Sequence, residues 1–310
     1  MAGGGDSTRA ILFALGANFA IAVAKGVAAF VTGSSAMLAE TVHSLADCGN
    51  QLLLLLGLRQ ATRPPSPDHP LGYGRAIYFW SFLVAVMLFS VGGMFSIYEG
   101  VHKFQSPEPL NQWWWAAGVL VFAIAAEAVS MRACMQEVNK ARGERSLWRW
   151  FRDSRQAELV VIFGEDLAAL LGLVFALMAV LLSVITGNPI WDAVGTIVIG
   201  ALLIVVAVMV AIEVKALLIG QSADPILGTQ ISQWLGGRPE ISKLIHVITM
   251  QMGNDVVVSV QAVMRETVSA QALLSDIDRV EAELKQQFPV VRWSFFEPDR
   301  EGEPGAAAPV

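Results

Sequence analysis

Long apolar segments alternate with short polar ones along the first 220 residues of the chain. Six such segments run approximately over residues 10–31, 36–58, 77–102, 113–135, 159–186 and 191–218. A helix of about 20 apolar residues is long enough to cross a bilayer. The pattern therefore predicts a bundle of six transmembrane helices over residues 9–219, preceded by a disordered amino terminus at 1–8.

The pattern changes after Gly220, where the apolar segments become shorter and richer in β-branched residues. It predicts a helix at 225–235, strands at 244–252 and 256–264, a helix at 270–288 and a strand at 290–296. The order α-β-β-α-β is typical of a small α+β domain of ferredoxin-like type. We therefore expect such a domain at 220–298, followed by a disordered tail at 299–310.

Composition and loop charge support the membrane assignment. Of the 310 residues, 55% are hydrophobic and only 15% are charged, whereas soluble domains carry about 25% charged residues. Lys and Arg are concentrated in the second and fourth connections, so the positive-inside rule places both termini in the cytoplasm. Residues 1–8 contain no apolar h-region, and we expect the first helix to act as the insertion signal.

The second apolar segment carries an unusual stripe of polar side chains. Glu40, His43, Asp47 and Asn50 are spaced 3, 4 and 3 residues apart, which places them within about 80° of arc on one helix face. Ionisable groups at membrane depth are costly and usually functional, and a carboxylate one turn from an imidazole is a ready pair of metal ligands. The alternative is that a neighbouring helix satisfies these groups and that they only stabilise the bundle.

A second charged spot is the adjacent pair Glu165-Asp166 in the fifth segment. Neighbouring residues on a helix point about 100° apart, but these two flank the direction of Ile162, and a pocket over Ile162 could use both. Alternatively, one carboxylate binds a ligand while the other caps a helix or pairs with an Arg.

The remaining intramembrane charges have simpler interpretations. Glu127 stands alone in the fourth segment and is expected to be structural. Lys25 is expected to pair with Glu40, and Asp192 to cap the sixth helix, where a carboxylate suits the positive end of the helix dipole.

His43, Asp47 and Asp166, with Glu165 as a possible fourth, form a ligand set for a divalent cation. Nitrogen and oxygen ligands favour zinc first, with manganese or iron(II) also compatible. Carboxylates in a low dielectric take up protons when the metal leaves, so exchange of metal for protons is the expected chemistry. A membrane-bound metal sensor without flux is a rival function, whereas an intramembrane metalloprotease lacks its His-Glu-x-x-His motif.

Several motifs together carry a family resemblance that covers nearly the whole chain. They are the run from His43 to Gln51, the loop sequence from His69 to Arg75, Leu170-Leu171-Gly172 after Glu165-Asp166, and Ile185-Thr-Gly-Asn-Pro189. With six spans and a carboxy-terminal α+β domain, the chain resembles the cation diffusion facilitator family, and most of all its zinc transporter nine branch.

The resemblance implies a homodimeric, proton-coupled exporter of divalent cations whose cytoplasmic domain dimerises. The family site uses two residues of the second helix, which correspond to His43 and Asp47, and two of the fifth. Asp166 corresponds to the family aspartate. The family histidine four residues earlier is Ile162 here, which leaves Glu165 as the substitute.

The resemblance also implies three peripheral features. Many members bind a second metal in the loop after the second helix, but here Asp68 and His69 are followed by Tyr73 in place of the second histidine. The cytoplasmic domain has only His246 and no cysteine, so little metal binding is expected there. Arg75 corresponds to a basic residue that interlocks with an acidic group, for which the candidates are Glu213 and Asp224.

The sequence thus predicts a multi-pass protein of the plasma (inner) membrane that exports a divalent cation by alternating access. Zinc is the first choice, and manganese, iron(II) or cobalt are alternatives. The expected partners are the metal ion, protons, the lipid bilayer and a second copy of the chain. No enzymatic activity, cofactor or nucleic-acid partner is expected.

Overall fold

The computed structural model of the chain describes residues 3–32, 35–106 and 113–300; the side chains at 3–7, 29, 31, 32, 35–40, 42 and 43 are not among those described. Its contacts separate the chain into two compact units. One consists of Met1–Arg63 with Arg75–Leu218, and the other of Pro64–Gly74 with Ile219–Val310. The connection between the second and third predicted spans therefore belongs to the same unit as the carboxy-terminal region.

The first unit is helical throughout its described elements. Its helices are α1 (Gly3–Thr32), α2 (Ser35–Ala61), α3 (Ala76–Met87), a π-helix (Leu88–Met94), α4 (Phe95–Gln105), α5 (Trp113–Arg142), α6 (Leu147–Asp153), α7 (Ala157–Thr186) and α8 (Ile190–Ile219). The long helices cover all six predicted segments, with α3, the π-helix and α4 forming one continuous segment. The short helix α6 was not predicted.

Within the described residues, five helical segments are long and apolar enough to cross a membrane. They are Thr8–Ala28, Ala76–Gln105, Trp113–Arg142, Ala157–Thr186 and Ile190–Ile219. Helix α2 has 27 residues but is more polar, since it contains Glu40, Asp47 and Arg59. Five spans are therefore supported, and the sixth stays a prediction.

The amino terminus departs from the prediction. Helix α1 begins at Gly3, so most of the segment 1–8 that was expected to be disordered is helical. At the other end, Asp299, the first residue of the predicted tail at 299–310, still belongs to a strand, and residues 301–310 lie outside the described residues.

Large apolar side chains cover the outside of the helical unit. Phe30, Ile185 and Tyr98 are 90%, 78% and 69% exposed. Soluble monomers rarely expose contiguous apolar surface on this scale, whereas a bilayer solvates it. The buried core between the helices includes Leu54 and Ile162, both fully buried.

The segment containing the π-helix packs tightly on α8. A side chain at Gly93 would overlap Ile204 and approach the backbone of Gly200, and one at Gly200 would meet the carbonyl of Gly93. Small residues allow such close backbone contact between membrane helices. The Ser96 hydroxyl donates to the carbonyl of Gly92 at 2.6 Å, which gives that carbonyl a partner within the irregular stretch.

The second unit contains a three-stranded sheet and two helices in the predicted order α-β-β-α-β. The elements are α9 (Pro225–Gly236), β1 (Ile241–Met252), β2 (Asp255–Met264), α10 (Ala270–Gln287) and β3 (Val291–Asp299). The sheet order is β1-β2-β3, with β1 and β2 antiparallel and β2 and β3 parallel. Gly253, at φ +68°, provides the left-handed position in the β1–β2 turn.

The core of this unit is apolar, and a charged network lies beside it. Ile231, Leu235, Val258, Val280 and Leu284 form the centre of the core. The network is built on Glu240, which is 8% exposed and accepts hydrogen bonds from Arg238 at 3.1 and 3.2 Å.

The charged network changes the ionisation of Glu240. Burial alone would raise the pKa of this carboxyl. The hydrogen bond from its own backbone and the guanidinium groups of Arg238 and Arg279 outweigh burial, so the pKa lies below its usual value.

Candidate metal centre

Helix α2 provides the first half of the predicted site. Asp47 is half-buried and lines a cavity of about 10 Å³ together with Asn50 on the same helix and with Leu88, Val91 and Gly92 of the π-helix. Such a cavity is barely large enough for one water molecule. The π-helix, an irregularity that is frequent at functional sites, thus lies opposite the polar face of α2.

Helix α7 provides Glu165, and its carboxylate is held by two amides of α2. Asn50 Nδ2 donates to Oε1 and Gln51 Nε2 donates to Oε2, each at 3.1 Å. Glu165 is 5% exposed, and Gln51 is fully buried. Each carboxylate oxygen has two lone-pair directions, so Glu165 keeps one free on each oxygen while both amide bonds remain.

The neighbouring carboxylate, Asp166, points to a different helix. It is 1% exposed, and its Oδ2 accepts a hydrogen bond from Ser130 Oγ of α5 at 3.0 Å. The 100° between successive residues of a helix accounts for this divergence. Neither Glu165 nor Asp166 forms an ion pair with an Arg among the described residues.

Glu127, expected to stand alone, shares a buried polar face of α5 with Ser130 and Cys134. It is 2% exposed and lies within electrostatic range of Asp166, Glu165, Asp47 and Lys25. The prediction for Glu127 missed this face because it treated Glu127 by itself. The spacing of Glu127, Ser130 and Cys134 by 3 and 4 residues was the available signal.

The structure does not gather the whole predicted ligand set. Among the described side chains, no group of three or more His, Cys, Asp or Glu lies close enough together to hold a metal ion. His43 belongs to α2, but its side chain lies outside the described part of the chain, as does that of Glu40. The predicted pair of Lys25 and Glu40 therefore stays a prediction.

The loop that contains Asp68 and His69, where no second metal site was expected because Tyr73 replaces a histidine, shows a packing contact. The rings of His69 and Tyr73 stack with their centroids 4.2 Å apart, and the hydroxyls of Tyr73 and Ser66 lie 3.1 Å apart. Asp68 is exposed. In the sheet, His246 is exposed on β1 opposite Gln261.

Two other predicted roles take a different form. Glu213, one of the two candidates for the acidic partner of Arg75, pairs with Arg152 of α6 at 2.7 Å. The pairing of Arg75 with an acidic group stays a prediction, with Asp224 as the other candidate. Asp192, which was expected to cap α8, lies in the first turn of that helix and pairs with Lys103 at 3.2 Å. The capping hydrogen bond is made by Asn188, whose Oδ1 accepts from the backbone N–H of Ile190. In both cases a neighbouring helix supplies a partner that local sequence does not specify.

Long apolar helices enclosing buried carboxylates define a multi-pass membrane protein with a polar site inside the helical bundle. A family model described as the cation efflux transmembrane domain matches residues 11–219. The chain belongs to this family, which is the cation diffusion facilitator family that its motifs resemble.

Comparison with individual proteins is consistent with the zinc transporter nine branch. The chain is 33% identical over 72% of its length to the proton-coupled zinc antiporter SLC30A9, mitochondrial, of Xenopus laevis. It is 33% identical over 70% of its length to metal tolerance protein C4 of Arabidopsis thaliana, and 27% identical over 59% to zinc transporter ZitB of Escherichia coli. These matches cover 40%, 48% and 53% of the relatives, so the chain spans about half the length of the proteins it matches.

Proposed function

We propose that the protein exports a divalent cation, zinc first, in exchange for protons. The observation that carries the proposal is the buried carboxylate of Glu165, which two amides of α2 orient within electrostatic range of Asp47 and Asp166. Family membership and the names of the zinc-transporting relatives support the same cargo.

The proposed ligands are His43, Asp47, Asp166 and Glu165. Several carboxylates at membrane depth repel one another, and a dication between them would relieve that repulsion. Ser130 and the amides of Asn50 and Gln51 would keep the carboxylates oriented, as hydrogen-bond partners of metal ligands commonly do.

Proton coupling follows from the same residues. When the cation leaves, the carboxylates lose the charge that compensates them, and binding protons becomes the alternative way to lower their repulsion. Cation and protons would therefore occupy the site in turn. Alternating access would then carry each of them across the membrane, as in other secondary transporters.

The architecture proposed for this mechanism has α2 as a sixth span, a ferredoxin-like fold for residues 220–298 and a homodimer. Both termini would be cytoplasmic. The plasma (inner) membrane remains our proposal for the location, although the Xenopus relative is named as mitochondrial.

Flux measurements in proteoliposomes test the proposal. We expect zinc uptake into vesicles that contain the full chain, faster with an outward proton gradient than without one. Manganese, iron(II) and cobalt are tested in parallel, and the ion with the highest flux identifies the cargo. Tight zinc binding without flux of any of these ions would overturn the proposal in favour of a metal sensor.

A further inference from the structure

The connection between α5 and α7 forms a basic surface at the end of the helical bundle. Residues 140–155 contain six Lys or Arg and two Asp or Glu. Because α5 and α7 are both long and apolar enough to span a membrane, the residues that join them lie at a membrane–water boundary. Helix α6 lies in the middle of this connection.

Helix α6 is fixed to the bundle by its buried side. Trp150 and Phe151 are 1% and 5% exposed and belong to the main core, where Trp150 makes an edge-to-face contact with Phe163 of α7. The ion pair of Arg152 with Glu213 attaches the helix to α8. The position of α6 at this boundary is therefore determined by packing.

The opposite side of α6 presents an aromatic ring next to a cation. Trp148 is 62% exposed, and the adjacent Arg149 is also exposed. Arg149 has no carboxylate partner in the part of the chain that the structure describes, whereas Lys140 and Arg152 each have one. The surface therefore combines a Trp, which favours the headgroup region, with a basic side chain that has no carboxylate partner among the described residues.

We propose that this surface, Trp148 and Arg149, binds the headgroup of an anionic phospholipid of the surrounding bilayer. The phosphate would accept hydrogen bonds from the Arg149 guanidinium, and Trp148 would lie against the glycerol and upper acyl region. Charge complementarity selects an anionic lipid over a zwitterionic one, because the surplus of basic residues attracts a net negative headgroup.

Native mass spectrometry of the full-length protein in detergent tests this proposal. The protein is titrated with phosphatidylglycerol or with phosphatidylcholine of the same acyl chains. We expect tighter binding of phosphatidylglycerol, and a loss of about fivefold in that affinity for Arg149→Gln, the typical contribution of one basic residue at an anionic membrane surface. Arg149→Lys should retain most of the affinity because it retains the charge.

Arg300→Gln is the matched control, since it removes the same charge from an exposed Arg in the other compact unit. It should leave the affinity for phosphatidylglycerol unchanged. In a second measurement, phosphatidylglycerol brominated near its carbonyls should quench the fluorescence of the wild type more than that of Trp148→Phe. Equal affinities for the two lipids, an equal loss in Arg149→Gln and Arg300→Gln, or equal quenching of the wild type and Trp148→Phe would overturn the proposal.

Discussion

Replacement of Gln51 by Leu separates metal binding from stability at the proposed site. In the structure, Gln51 Nε2 donates to Oε2 of Glu165 at 3.1 Å, while Gln51 Oε1 is buried and has no hydrogen-bond partner among the described residues. Leu is close in size to Gln. The substitution therefore deletes one orienting bond and one unsatisfied acceptor at the same position, with little change in packing.

The two changes have opposite effects on folding. Loss of a hydrogen bond to a carboxylate destabilises the folded protein by about 1.5–3 kcal/mol. Removal of a buried unsatisfied carbonyl stabilises it by about 1–3 kcal/mol. We expect the thermal stability of the variant to stay near that of the wild type. Zinc affinity should fall by about 10- to 100-fold, which is the usual effect of removing a hydrogen-bond partner from a metal ligand.

Calorimetric titration of the purified protein with zinc measures the affinity, and flux into proteoliposomes shows its consequence for transport. Gln60→Leu is the matched control, because Gln60 lies on the same helix and accepts a hydrogen bond from the neutral indole of Trp80 at 2.9 Å. It should bind zinc as the wild type does. Wild-type zinc affinity in a folded Gln51→Leu protein would refute the assignment of Glu165 as a ligand.

Three further predictions concern single carboxylates. Asp47→Ala should abolish zinc flux while the purified protein keeps its helical circular dichroism, and retained flux would exclude Asp47 from the site. Glu165→Gln should lower calorimetric zinc affinity by a larger factor than Glu127→Gln, because the Glu165 carboxylate is oriented towards α2; the reverse order would identify Glu127 as the more important ligand. Glu240→Gln should destabilise the sheet unit by about 2 kcal/mol at pH 7, since it weakens the charged contacts with Arg238. Because the folded-state pKa of Glu240 is lowered, its carboxylate stabilises the folded unit fully above the unfolded-state pKa of about 4.5. This stabilisation is lost as pH falls through the folded-state pKa. Amide hydrogen exchange of β1 in the full chain should therefore show a difference between wild type and variant that shrinks below pH 4.5, and a constant difference would contradict this.

The course of the helices could be predicted from sequence because it depends on local patterns. Each long apolar segment became a helix, and the α-β-β-α-β order after Gly220 followed from the change of period. Helix α6 was missed because its seven residues are too few to show a period, and its burial depends on the contact of Trp150 with α7.

The candidate site was only partly predictable. Asp47, Glu165 and Asp166 stood out because charged residues are rare in apolar helices. Ser130 and Gln51 did not stand out, since an uncharged polar residue in a membrane helix is common and its partner cannot be known from its own helix. The pairing of Glu213 with Arg152 was missed for the same reason.

Sequence alone predicts the class of protein, the course of its long helices and the carboxylates within them, because the hydrophobic pattern and the charge of a segment do not depend on the rest of the fold. The tertiary structure decided that Glu165 faces α2 while Asp166 faces α5. That choice depends on how α7 is rotated against helices more than 30 residues away in the chain. Helix packing sets that rotation, and no local pattern encodes it.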